Sequence, residues 1–109
     1  MRYMTSNRIC WGIMGTGRIA HTFADTLKKL AQAQICAVGS RTREKAEAFG
    51  QEYDIPVRCG SYETFVQEEM IDIVYVATPI ASHYEHVKLC LNAGKHVLCE
   101  KALTVTAAE

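Results

Sequence analysis

The chain lacks the features that mark several large classes of protein. Neither sign of charge is in excess: lysine plus arginine number 12, as do aspartate plus glutamate. With no basic surplus, nucleic acid is not expected as a partner. No apolar stretch approaches the ~20 residues that cross a bilayer, and no membrane partner is expected. Met1 to Arg8 lack the apolar core of a secretory signal. The five cysteines are odd in number, and none are spaced Cys-x-x-Cys. That argues against a disulfide framework or a zinc site. Cys10, Cys36, Cys90 and Cys99 lie in apolar runs, where cysteine behaves as a small buried hydrophobe. Free thiols point to a reducing compartment and a cytoplasmic location. His83, His86 and His96 show no metal-ligand spacing. Internal repeats, low-complexity segments and linkers are missing too.

What is present is a regular alternation. The 109 residues are 49% hydrophobic, enough for one domain over 1–109 built on a buried sheet. Strands are expected over 8–14, 34–39, 57–59, 71–77 and 96–99. Helices are expected over 18–31, with an apolar stripe of Ile19, Phe23, Leu27 and Leu30, and over 42–53, with Ala46, Phe49 and Tyr53 on one face. Ser61 caps a short helix bearing Tyr62, Phe65 and Val66. The run Ile73-Val74-Tyr75-Val76-Ala77 is apolar on both faces, as in a parallel strand covered on both sides. Ser82 and Glu85 have capping-box spacing and predict a helix over 83–93, stopped by Gly94. Strands alternating with helices through short connections imply an α/β fold, a doubly wound parallel sheet.

Thr106 and Glu109 again have capping-box spacing, with no residues after them to form the helix. The expectation is a truncated, amino-terminal piece of a longer protein. Exposed apolar surface and a homo-oligomer would then follow.

After the first strand comes Gly15-Thr16-Gly17-Arg18-Ile19-Ala20, a Gly-x-Gly-x-x-Ala turn opening the first helix. Gly15 permits the tight turn. Gly17, without a Cβ, lets a pyrophosphate approach the backbone. Ala20 lets the helix pack closely on the strand. The helix start adds N–H groups and partial positive charge for phosphates. The plain alternative is an ordinary glycine-rich turn. The position, between a strand and an amphipathic helix, favours a Rossmann-type dinucleotide-binding domain.

In that fold the end of the second strand reads the adenosine ribose. Here it runs Ser40-Arg41-Thr42-Arg43, with no carboxylate before Glu44. Ser40 and Thr42 offer hydroxyls, Arg41 can pair with a phosphate and stack on adenine, and Lys45 adds charge. This favours NADP, with NAD as the alternative. The competing reading is a solvated helix start with Thr42 as its cap. Thr78 and Pro79 end the fourth strand where a nicotinamide would lie, or simply terminate it. His83 follows, facing the site or the solvent. After the fifth strand, Lys101 is placed to hydrogen-bond a substrate oxygen and stabilise developing alkoxide charge, its pKa tuned by Glu100. The alternative is an exposed Glu100–Lys101 charge pair.

Together, Gly-Thr-Gly-Arg-Ile-Ala at 15–20, Ser-Arg-Thr at 40–42, Ala-Thr-Pro at 77–79 with His83, and Ala-Gly-Lys-His-Val-Leu-Cys-Glu-Lys at 93–101 resemble the amino-terminal domain of the Gfo/Idh/MocA oxidoreductases. The resemblance runs from Arg8 onward. It implies a nicotinamide-dependent dehydrogenase acting on a sugar, cyclitol or diol substrate. Lys101 matches the family's active-site lysine in a Glu-Lys-Pro motif, with Ala102 here in place of the proline, which removes a backbone restraint beside it. The Ser-Arg-Thr segment resembles NADP-using members. It also implies a missing carboxy-terminal domain that supplies substrate contacts and further catalytic residues, so the chain alone is expected to hold cofactor without turnover. Two other classes stay open: a non-catalytic nucleotide-binding or regulatory module, and a structural or interaction fragment with no ligand.

Overall fold

A computed structural model describes residues 9–99. The elements alternate: β1 (Ile9–Met14), α1 (Arg18–Leu27), β2 (Ala33–Gly39), α2 (Arg43–Tyr53), β3 (Val57–Cys59), α3 (Tyr62–Val66), β4 (Ile73–Val76), α4 (Ile80–Asn92) and β5 (His96–Leu98). All neighbouring strands pair in parallel, in the order β3-β2-β1-β4-β5. The order reverses between β1 and β4, because the chain crosses the sheet after β3. The expected doubly wound sheet is therefore the fold of the described residues.

Two apolar layers hold the helices to the sheet. On one face, Ala20, Ala24, Ala46, Phe49 and Tyr53 from α1 and α2 pack with Ile13 and Val38. On the other, Phe65, Val66 and Cys90 from α3 and α4 pack with Met14, Ala37, Val74 and Val76. Alternate residues of one strand thus enter opposite cores, which is why these strands read as unbroken apolar runs. Phe65 lies flat against the sheet where Gly12 and Gly39 leave room: a Cβ on either would stand within 2.8 Å of its ring. Cys10, Cys36, Cys59 and Cys90 are buried and form no disulfide among the described residues, and burial pushes the Cys90 pKa up to about 11.

Several expectations need correction. The helix expected over 18–31 ends at Leu27, and only half of its stripe is buried: Leu27 is buried and Phe23 packs against the core. Ile19 and Leu30 are more than half exposed, whereas Ala20 and Ala24 are fully buried. Close approach to the sheet selects small side chains there. The Ser82–Glu85 capping box does not form. Helix α4 begins three residues earlier, after Pro79, with no side-chain cap. The Ser82 N–H instead donates to the Pro79 carbonyl. Its other end is as expected: Gly94 adopts φ +79, and the Gly94 and Lys95 N–H groups close on the Leu91 and Cys90 carbonyls. The Thr106–Glu109 box lies outside the described residues.

Cutting Phe65 back to alanine should open a cavity between α3 and both glycine strands. We expect Phe65→Ala to lower unfolding free energy by about 3–5 kcal/mol in urea titration. A loss below 1 kcal/mol would contradict this packing.

Candidate cofactor site at the switch point

Three loops leave the carboxyl ends of β1, β2 and β4 side by side and enclose a cavity of about 790 Å³. Gly15, Thr16, Gly17, Arg18 and Ile19 form one wall, and Ser40, Arg41, Thr42 and Lys45 a second. Ala77, Thr78, Pro79 and His83 form a third. All of the site candidates up to His83 therefore border one space. Glu100 and Lys101 lie outside the described residues.

The two turn glycines differ in kind. Gly15 has φ +108, and a Cβ there would stand 3.1 Å from the Ala77 carbonyl carbon and oxygen. It is glycine because the chain must turn tightly against β4. Gly17 has an ordinary φ of −84, and no protein atom lies within 4 Å of where its Cβ would be. The fold gives no reason for glycine there. The open space beside its backbone is part of the cavity wall.

The charge pattern is also one-sided. Gly17 is the N-cap of α1 and has no side chain to offer, and the first turn of α1 carries no acid. Helix α2, by contrast, is capped by the Thr42 hydroxyl, which accepts from the Lys45 N–H at 3.3 Å, and has Glu44 in its first turn. Arg43 pairs with Glu47 at 3.8 Å, as Arg58 does at 3.1 Å, and does not line the cavity. Among the described residues, Arg41 and Lys45 form no ion pair. An uncapped helix start and two unpaired cations together suit a ligand with several phosphates.

The third wall is tied together by histidines. The His83 Nε2 meets the Thr78 carbonyl, and its Nδ1 lies 3.0 Å from the Cys99 sulfur. The Thr78 hydroxyl meets His86 Nδ1 at 2.6 Å. His86 stands edge-on to Tyr62, ring centroids 4.7 Å apart. Burial lowers the His86 pKa, so its ring is neutral near pH 7. Burial raises the Tyr62 hydroxyl, and the Arg41 charge pulls it partly back.

Tyr62, Tyr75, Val76, Ala77 and Ile80 also line the cavity and were not among the sequence candidates. Cys99 departs from the buried-hydrophobe expectation: it is half-buried and bonded to His83. His86 carried a readable signal, since three residues after His83 it shares a helix face. Tyr62 follows its cap directly, but nothing in the pattern aims it at the glycine turn. Among the described residues, no group of three or more His, Cys, Asp or Glu is placed to hold a metal, and no helix is long and apolar enough to cross a membrane.

Strand order, glycine turn and cavity at the reversal point define a Rossmann-type dinucleotide-binding domain. Residues 9–109 match the oxidoreductase family with an NAD-binding Rossmann fold, Gfo/Idh/MocA, and the chain belongs to that family. It is 43% identical over 101 residues to the mouse trans-1,2-dihydrobenzene-1,2-diol dehydrogenase, covering 91% of this chain and 30% of that protein. The human enzyme of the same name is 41% identical over the same shares. A 3-ketoreductase from Actinomadura kijaniata, solved with TDP-benzene and NADP, superposes with a TM-score of 0.82 at 30% identity, over 87% of this chain and 30% of that one. An apo scyllo-inositol dehydrogenase from Lactobacillus casei gives 0.78 at 29% identity, over 86% and 28%. The chain thus spans about 30% of the length of the curated relatives it matches.

The contrast between the two glycines is testable. Gly15→Ala forces a side chain into left-handed backbone against Ala77 and should cost about 1–3 kcal/mol. Gly17→Ala should change stability by less than about 1 kcal/mol. Urea unfolding of both variants measures this, and equal losses would contradict the distinction.

Proposed function

We propose that this chain is the NADP-binding part, residues 1–109, of an oxidoreductase that moves a hydride between the nicotinamide and a sugar, cyclitol or diol. The observation that carries the proposal is the open, uncapped start of α1 at Gly17, facing a cavity walled on one side by Arg41 and Lys45, which form no ion pair among the described residues. A pyrophosphate over Gly17 takes the α1 N–H groups as donors. Arg41 reaches the adenosine end, where a 2′-phosphate gives it a doubly charged partner that the NAD ribose lacks. Ser40, buried at the end of β2, and Thr42 add hydroxyls to the same end. Thr78, Pro79 and His83 border the nicotinamide end.

The bound nicotinamide supplies or accepts the hydride. The chain's own contribution is Lys101, whose ammonium donates to the substrate oxygen: in reduction it steadies the negative charge that grows there as the C–H bond forms, and in oxidation it steadies the alkoxide left once the hydroxyl proton has gone, before the C–H bond breaks. Support for the substrate class comes from the names of the relatives, a dihydrodiol dehydrogenase and an inositol dehydrogenase. Support for NADP comes from Arg41 and from the ketoreductase solved with NADP. The chain spans about 30% of those relatives, and we propose that alone it binds cofactor without turning substrate over.

Calorimetry on the 109-residue chain should show NADP binding more tightly than NAD. Arg41→Ala should weaken NADP by about 10- to 100-fold, the worth of one charged hydrogen-bonded contact, and leave NAD nearly unchanged. NAD binding as tightly as NADP would overturn the cofactor assignment. In a turnover assay with sugar and diol substrates, the chain should show no activity above its Lys101→Ala variant; clear turnover would overturn the account of its role as a binding half.

A further inference from the structure

The contact between Cys99 and His83 carries a consequence that the glycine turn and Arg41 do not. His83 makes two polar contacts that span the gap between strands. Its Nε2 meets a backbone carbonyl, at Thr78 beyond β4, and a carbonyl only accepts. Nε2 therefore bears the proton. In the neutral ring Nδ1 is then an acceptor, and its partner is the Cys99 sulfur, just past β5. Burial raises the Cys99 pKa, so the sulfur is a thiol with a proton to give. The direction of the chain of bonds is thereby determined: Cys99 S–H to His83 Nδ1, His83 Nε2–H to Thr78 carbonyl.

We infer that Cys99 is a positioning residue for the nicotinamide end of the site, acting through His83. The thiol selects the Nε2–H tautomer and fixes the ring plane, and the ring in turn holds the carboxyl ends of β4 and β5 at one separation. Both ring nitrogens are occupied by protein, so His83 presents a ring face to the cavity rather than a proton. Thr78 is held a second time, through its hydroxyl and His86 Nδ1, so the wall it belongs to is anchored from two turns of α4. From Cys99 the chain runs on through Glu100 to Lys101. In a chain with Ala102 at the next position, a side-chain tie at Cys99 is a restraint on that strand end which does not need a proline. The role at the nicotinamide end rests on the dinucleotide reading above; the tautomer assignment does not.

The test uses the 109-residue chain with Cys99→Ser, which keeps a donor, and Cys99→Ala, which removes it. Nitrogen-15 NMR reads the His83 tautomer. Binding is measured with NADPH, which fills both ends of the site, and with adenosine 2′,5′-bisphosphate, which fills only the adenosine end. Wild type and Cys99→Ser should show a single Nε2–H tautomer, and Cys99→Ala a mixture. Cys99→Ala should weaken NADPH by about 3- to 10-fold, the span of one net hydrogen bond, and alter the fluorescence of the bound nicotinamide. Its affinity for the bisphosphate should be unchanged, and Cys99→Ser should restore NADPH binding. An unaltered tautomer in Cys99→Ala would overturn the inference. So would equal weakening of both ligands, which marks a general loss of structure. If wild type binds neither ligand, the dinucleotide reading and the role at its nicotinamide end fail together, while the tautomer comparison still decides whether Cys99 orients His83.

Discussion

The structure depends on how the chain leaves β1. That strand lies between β2 and β4, at the place where the sheet reverses its winding. Its exit must touch both neighbours without filling the space between them. The Gly15 N–H donates to the Gly39 carbonyl of β2 at 2.8 Å, and the Ala77 N–H donates to the Met14 carbonyl at 2.8 Å. Gly15 fits because it accepts φ +108 and because the Ala77 carbonyl leaves no room for a methyl. A bulkier residue would push the loops apart, and the cavity with them. The site is thus a by-product of sheet topology: the connections leaving the adjacent strands β1 and β4 go to helices on opposite faces of the sheet, and the crevice between them is where a ligand fits.

Around that crevice, some groups have no partner among the described residues. The α2 start is satisfied internally by Thr42 and Glu44. The α1 start, opening onto the cavity, is not. Arg43 is spent on Glu47, while Arg41 and Lys45 on the cavity side are in no ion pair among the described residues. Side by side, these pairs separate groups satisfied within the fold from groups left open to the proposed phosphates. The third wall follows the opposite rule. Both ring nitrogens of His83 and the Nδ1 of His86 are bonded within the protein, which ties that wall together.

Much of the fold was readable from the chain because each strand faces two cores. A strand buried on both sides must be apolar throughout, and 73–77 and 35–38 are. The glycine turn was readable because backbone conformation and close approach restrict residue identity more sharply than packing does. Helix details were less legible, for physical reasons. The largest apolar residues of α1 suggested a stripe through Ile19 and Leu30, but the sheet accepts Ala20 and Ala24 at close range and leaves those two in solvent. The Ser82–Glu85 spacing matched a cap, yet Pro79, with φ already near the helical value, starts α4 earlier. Tyr62, Tyr75 and Cys99 reach the site only through tertiary folding. Their neighbours come from other elements, so no local pattern could reveal them.

The central claim is that a dinucleotide lies along the carboxyl ends of β1, β2 and β4, with its phosphates over Gly17. Backbone amide NMR of the 109-residue chain during NADPH titration tests it most directly. The account predicts shifts concentrated at 15–19, 40–42 and 77–83, the amides at the start of α1 moving most. Shifts elsewhere on the sheet, or none at saturating NADPH, would contradict it.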